Sequence, residues 1–207
     1  MPIYHVTFPT RYLLAATMMR FQEHYESPHF RGRVFDNETV MDRYAAERGQ
    51  MSYFTDVAGC NLPASILKPF RAGDFDPLSR KERKFLRLLK DAPPESYVIA
   101  TAGIAADPRA LTHEIMHALF HAHSDYAADV RRVLRGKRLP TFRDRLRRIG
   151  YHASVMEDEA NAYLTTGLTE HMREVDVRGV RAARKELLAL ARERFGADPS
   201  TREGRLA

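Results

Sequence analysis

The chain has a single cysteine, Cys60, so an internal disulfide and a cysteine-rich metal site are both excluded. It has no internal repeat, no low-complexity tract and no long apolar run. The apolar stretch near the start, Leu13 to Met19, has arginines on both sides and is too short to span a bilayer. It also lacks a small-residue cleavage signature, so it reads as a core-facing helix. The expected location is cytoplasmic, with no membrane partner. At 44% hydrophobic and 29% charged, the 207 residues have none of the bias of a disordered or fibrous chain and suffice for one ordinary core.

Charge is unevenly spread. Between Arg131 and Arg148 lie nine lysines and arginines against one acid, Asp144, a local charge of +8 within a chain whose formal net charge is +6. The remainder is slightly acidic, so the basic character belongs to one segment.

Periodicity supplies the elements. Residues 3–8 alternate as a short strand, and residues 10–26 repeat apolar positions at three- and four-residue steps, as a helix does. Asn37-Glu38-Thr39 caps a helix that ends at Gly49. Residues 51–62 are aromatic and irregular, 63–70 form a short helix, and 76–90 form a stronger one stopped by Ala92-Pro93-Pro94. Residues 96–102 are a β-branched, largely apolar strand, 103–107 a loop, and Pro108 opens a helix reaching about residue 126. The basic segment follows, broken by Gly136 and Pro140. Further helices are expected over 154–174 and, amphipathic, over 178–195.

The helix opened by Pro108 carries His113-Glu114-Ile115-Met116-His117. Four residues are just over one turn, so both imidazoles leave one face with Cβ atoms roughly 6 Å apart. That separation lets two nitrogens reach one Zn²⁺ at about 2.0–2.1 Å each. Glu114 sits beside the pair, placed to receive a proton from water on the metal, which is the physical content of His-Glu-x-x-His. Leu111, Ile115, Ala118, Leu119 and Ala122 are expected to supply a separate apolar face.

A catalytic zinc needs a third protein ligand and an open position. The residues offer four candidates: Glu159, His123, His121 and Glu157. His123 has the third-ligand spacing of the metzincins, but Phe120 stands where those proteins have a helix-breaking glycine. His121 is eight residues from His113, about 12 Å along a helix axis, too far to share an ion comfortably. Its expected place is the cleft edge, as a polar residue. Glu157 is two residues from Glu159 and so on another helical face.

With Glu159-Ala160-Asn161-Ala162-Tyr163, the chain resembles the gluzincin metallopeptidases, and around the motif it is similar to the ImmA/IrrE-type peptidases, whose third ligand is a glutamate followed by alanine on a downstream helix. The resemblance covers about a dozen residues, His113 to His117 and Glu157 to Tyr163. Thermolysin-like members carry an aspartate four residues beyond the ligand, where this chain has Tyr163. The resemblance implies an α+β, mainly helical, zincin-like metallopeptidase fold with a small sheet preceding the metal-binding helix. It implies Zn²⁺ held by His113, His117 and Glu159, with Glu114 as general base in peptide-bond hydrolysis.

The expected organisation is a single zincin-like domain over 1–207: a mostly helical part at 1–95, then strand, metal helix and third-ligand helix at 96–175, then an amphipathic helix and tail at 176–207. The strand at 96–102 is expected to offer a sheet edge to an extended substrate. Tyr163, His152, Tyr126 and His171 are candidates for an oxyanion donor; His24 and His29 read as surface or packing residues. Two other functions stay open. One is a catalytically silent zincin-fold regulatory or binding module, against which the intact Glu114 argues. The other is a nucleic-acid-associated protease using the segment from Arg131 to Arg148, where nucleic acid or an acidic partner could bind. Only Phe142 interrupts those cations as an aromatic, so the bland reading of the segment is a solvated connection.

Overall fold

The computed structural model describes residues 1–103, 108–137, 139–168, 172 and 177–200. They form a mainly helical α+β protein with a three-stranded sheet. The chain divides into two compact units, 1–107 and 108–207.

In the first unit, β3 (Tyr97–Ala102) is buried at all six positions. Such a continuous apolar, β-branched run suits a strand covered on both faces. It is the central strand: β1 (Ile3–Phe8) pairs with it in parallel and β2 (Gly59–Pro63) antiparallel. The expectation that residues 96–102 offer a free edge is therefore corrected, because both sides of β3 are hydrogen-bonded. β2 itself lies in a stretch expected to be irregular. Its Gly-Cys-Asn-Leu-Pro sequence has low strand propensity, and it is the pairing with β3 that holds it extended.

Helix α1 (Arg11–Glu26) is capped by the Thr10 side chain, which accepts from the Leu13 N–H, and buries Leu14, Met18 and Phe21. α2 (Asn37–Arg48) is capped by Asp36, one residue ahead of the expected cap, and ends at Gly49 with φ +73°. α3 (Tyr53–Asp56) and a 3₁₀ turn (Ala64–Leu67) are short, and α4 (Lys68–Ala72) follows. α5 (Arg80–Leu88) starts four residues later than periodicity suggests, because Ser79 and Glu82 form a reciprocal capping box. The core of this unit is aromatic. Phe70 stacks on Phe75 with centroids 3.8 Å apart, and Phe21 lies 4.3 Å from Phe70. Beside these rings Arg20 forms a two-point ion pair with Glu82, 2.7 Å at each oxygen, with both residues buried.

The second unit is helical: α6 (Pro108–Ala122), α7 (Ser124–Arg135), α8 (Pro140–Ile149), α9 (Met156–Thr166) and α10 (Val177–Phe195). α6 was expected to continue to about residue 126. It stops at Ala122, His123 is extended (φ −119°, ψ 93°), and a new helix begins. Its buried apolar residues are Met116, Ala118 and Phe120, whereas Leu111, Ile115 and Ala122 are half-buried, which moves its core face from the expected one. The basic segment is not a solvated connection. It is two amphipathic helices that bury Val130, Leu134, Phe142 and Leu146 in one core with Leu164, Ala183 and Leu187. α9 ends at Thr166, before Gly167 (φ +114°), rather than near residue 174. Residues 169–171 and 173–174 of that expected helix lie outside the described residues. No helix among the described residues is long and apolar enough to cross a membrane.

Candidate metal centre

The site is built by α6 and α9, which pack against each other. The helical repeat puts His113 and His117 on one side of α6, and their rings meet edge-to-face with centroids 4.8 Å apart. Their Nε2 atoms are 3.1 Å apart. Glu159, on α9, brings one carboxylate oxygen to 3.6 Å from His117 Nε2 and the other to 3.9 Å from His113 Nε2. Two ligand atoms about 2.0–2.1 Å from one tetrahedral ion sit roughly 3.3 Å apart. With one ligand atom from each residue, the three lie within 4.8 Å of one another, so His113, His117 and Glu159 together could hold a common ion.

The outer ring nitrogens explain how the inner ones come to face the same point. His117 Nδ1 lies 2.9 Å from Asp158 Oδ1 as an ion-pair contact, and neither atom makes a hydrogen bond among the described residues. A proton drawn to Nδ1 by that carboxylate's charge leaves the lone pair on Nε2. On the other imidazole, His113 Nδ1 is 3.4 Å from the Thr166 hydroxyl, which itself donates to the Ala162 carbonyl at 2.7 Å and so has its lone pairs free to accept. Asp158 and Thr166 are the two supporting residues that the sequence reading did not single out. The signal for them is helical geometry: Asp158 adjoins Glu159, and Thr166 lies two turns beyond it on the same face of α9.

Negative charge gathers around His117. Glu114, Asp158 and Glu159 are all buried, and all three carboxylates act on His117. Burial alone pushes the His117 pKa down, but Asp158 and Glu159 outweigh it and hold it well above the ordinary histidine value. Burial, with His117 alongside, holds His113 well below that value. The carboxylates thus favour positive charge at His117, which a proton or a bound cation on Nε2 would equally supply, while His113 stays neutral with a lone pair to donate. Buried carboxylates are held in proteins by paired cations or by metal ions, and three of them gather here around two imidazoles.

The other candidates lie elsewhere. Glu157 pairs with Arg131 at 3.1 Å on the exposed side of α9. His123 is exposed and packs against Phe195, with ring centroids 5.4 Å apart. His121 is exposed on α6, at the far end of the helix from His113. Of the oxyanion candidates, Tyr126 donates to Asn161 Oδ1 at 2.8 Å in the core, and His152 caps the turn over Ala153–Val155. Tyr163 packs its ring on His113, 4.7 Å between centroids, and its hydroxyl is 3.2 Å from that of Tyr151. His171 lies outside the described residues. In the first unit, His24 packs edge-on against Phe70 and Phe75, and His29 is at the surface beside Glu47.

No protein-family model, no curated protein and no solved structure matches this chain.

Proposed function

We propose that the protein is a zinc-dependent peptidase of zincin-like fold and gluzincin type, acting on a protein or peptide. The observation that carries the reading is the convergence of His113, His117 and Glu159, with two Nε2 atoms 3.1 Å apart and a buried carboxylate across from them. Two histidines and one carboxylate are a donor set of catalytic zinc sites, and the His-Glu-x-x-His spacing adds a base next to the first ligand. Zn²⁺ held there supplies Lewis-acid activation of water and of a carbonyl.

The chain's own residues supply the rest. Glu114 is the general base: its buried carboxylate takes the proton of the attacking water and returns it to the leaving amine. Asp158 and Thr166 hold the imidazoles with Nε2 inward. Tyr163, braced by Tyr151, is the nearest described hydroxyl-bearing candidate to steady negative charge on the carbonyl oxygen.

The test is metal content and turnover on the same preparation. Elemental analysis should find about one zinc per chain, and cleavage of an unfolded protein should stop with a chelator and return with added zinc. Glu114→Gln should keep the zinc and lose turnover. Cleavage that persists in Glu114→Gln removes the base assignment. Zinc without cleavage of any peptide in a broad library makes the chain a binding module instead.

A further inference from the structure

We propose that the cleft between α4 and α5 in the first unit binds phosphoryl groups, a site that shares no residue with the His113–His117–Glu159 cluster. The cleft has a volume of 480 Å³, within the range of about 300–1,000 Å³ usual for small-ligand sites. Arg71, Arg83, Arg87 and Lys90 line it against one acid, Asp76, and its apolar lining comes from Phe70, Leu78 and Leu86.

Two of these arginines are held in place by backbone carbonyls. Arg71 Nη2 donates to the Leu89 carbonyl at 2.7 Å, and Arg83 Nη1 donates to the Leu78 carbonyl. A guanidinium has five N–H donors in a fixed fork, so one anchoring bond restrains the group and leaves the others for a ligand. A restrained fork loses less rotamer freedom on binding than a free side chain.

The charge around the cleft is also uncompensated. α5 carries Arg80, Lys81, Arg83, Lys84 and Arg87, and its one acid, Glu82, is turned inward with both oxygens on Arg20. Among the described residues the Lys90 ammonium has only an exposed contact to Asp91 at 3.9 Å, which is worth little in water. The 131–148 segment differs: there Arg131, Arg132, Lys137 and Arg147 pair with Glu157, Asp129, Glu186 and Asp144. Four of the nine cations in the longer run thus meet an acid, whereas those of α5 meet none among the described residues. Three arginines and a lysine opposed by one carboxylate suit a multiply charged anion, and arginine forks match phosphate oxygens. The apolar lining favours a phosphate ester over a bare ion. Such an ester could be a small phosphorylated molecule or a nucleic-acid backbone.

The experiment titrates the full chain at low salt with sodium pyrophosphate, followed by calorimetry and by the arginine Nε–H resonances. In parallel, a labelled single-stranded oligonucleotide is followed by anisotropy. Saturable pyrophosphate binding that shifts arginine resonances, weakens about tenfold or more in Arg87→Ala, survives better in Arg87→Lys and is unchanged in Arg143→Ala supports a phosphoryl site for a small ligand. Binding of the oligonucleotide alone, abolished by Arg87→Ala and falling steeply with salt, supports the same phosphoryl chemistry on a nucleic-acid backbone. No binding of either probe overturns the proposal, as does equal binding by wild type, Arg83→Ala and Arg87→Ala. Arg87 is exposed, so its variants test the site even if Arg83→Ala, which removes the brace on Leu78, weakens the fold.

Discussion

His117 and Asp158 face each other at 2.9 Å, from Nδ1 to Oδ1, with the imidazole almost wholly buried. The carboxylate's charge favours a proton on Nδ1 and so raises the basicity of Nε2. Asp158→Asn keeps the size of the side chain and removes its charge. It should weaken zinc binding by about 10–100-fold, the usual range for such an outer partner. A chromophoric chelator competition measures this, and an unchanged affinity would show that Asp158 does not orient the ligand.

The same centre predicts a sharp split among neighbouring residues. Glu159→Gln should leave the chain well below one zinc after dialysis against buffered metal. Glu157→Gln and His123→Ala should leave zinc content as in wild type, because Glu157 is committed to Arg131 and His123 lies against Phe195. Zinc loss in either control, with retention in Glu159→Gln, would reassign the third ligand.

A third prediction concerns acid stability of the first unit. Burial pushes the Glu82 carboxyl up, but its bonds to Arg20 and at Ser79 win and hold it below its ordinary value of 4.5. The folded pKa is depressed, so the contribution is full above the unfolded value and is lost as pH falls through the folded one. Urea unfolding of the wild type should show stability falling below about pH 4.5. Glu82→Gln should cost about 3–5 kcal/mol at neutral pH, because it leaves buried Arg20 unpaired. Its acid dependence should be flatter. A variant as stable as the wild type at neutral pH would contradict this.

Tyr126 and Asn161 give a fourth. The phenol is buried and donates to Asn161 Oδ1 at 2.8 Å, tying α7 to α9. Asn161→Ala strands that hydroxyl and should lower stability by about 1–3 kcal/mol. The denaturant midpoint should fall with the slope unchanged. If it does not move, the bond does not hold the third-ligand helix in place.

Much of this was legible in the chain, for reasons that can be named. The histidine pair is readable because a four-residue step on a helix has one geometric meaning. β3 is readable because six consecutive residues are apolar or β-branched. β2 was not, since its strand state comes from a partner nearly forty residues away in sequence rather than from its own residues. The break at His123 carries no glycine or proline to announce it; the apolar face simply passes from α6 to α7, where Tyr126, Ala127 and Val130 enter the same core. Asp158 and Thr166 are ordinary residues until α9 is set beside α6. Counting cations drew attention to residues 131–148. Only the structure distinguishes charges that meet an acid there from charges on α5 that do not.

The place of β3 at the middle of the sheet has a consequence for synthesis. Ile3 pairs with Tyr97 and Phe8 with Ala102, so β1, once synthesised, waits for a partner roughly ninety residues behind it, and such non-local pairing is slow to form. At translation rates of about 5–20 residues per second, that is a delay on the order of 5–20 seconds. Through that interval α1 can form as a local helix, but its apolar side has neither β2 nor β3 to cover it. Nascent chains arrested before residue 97 should therefore be protease-sensitive and attract chaperones, and protection should appear abruptly once residues 97–102 have cleared the exit tunnel.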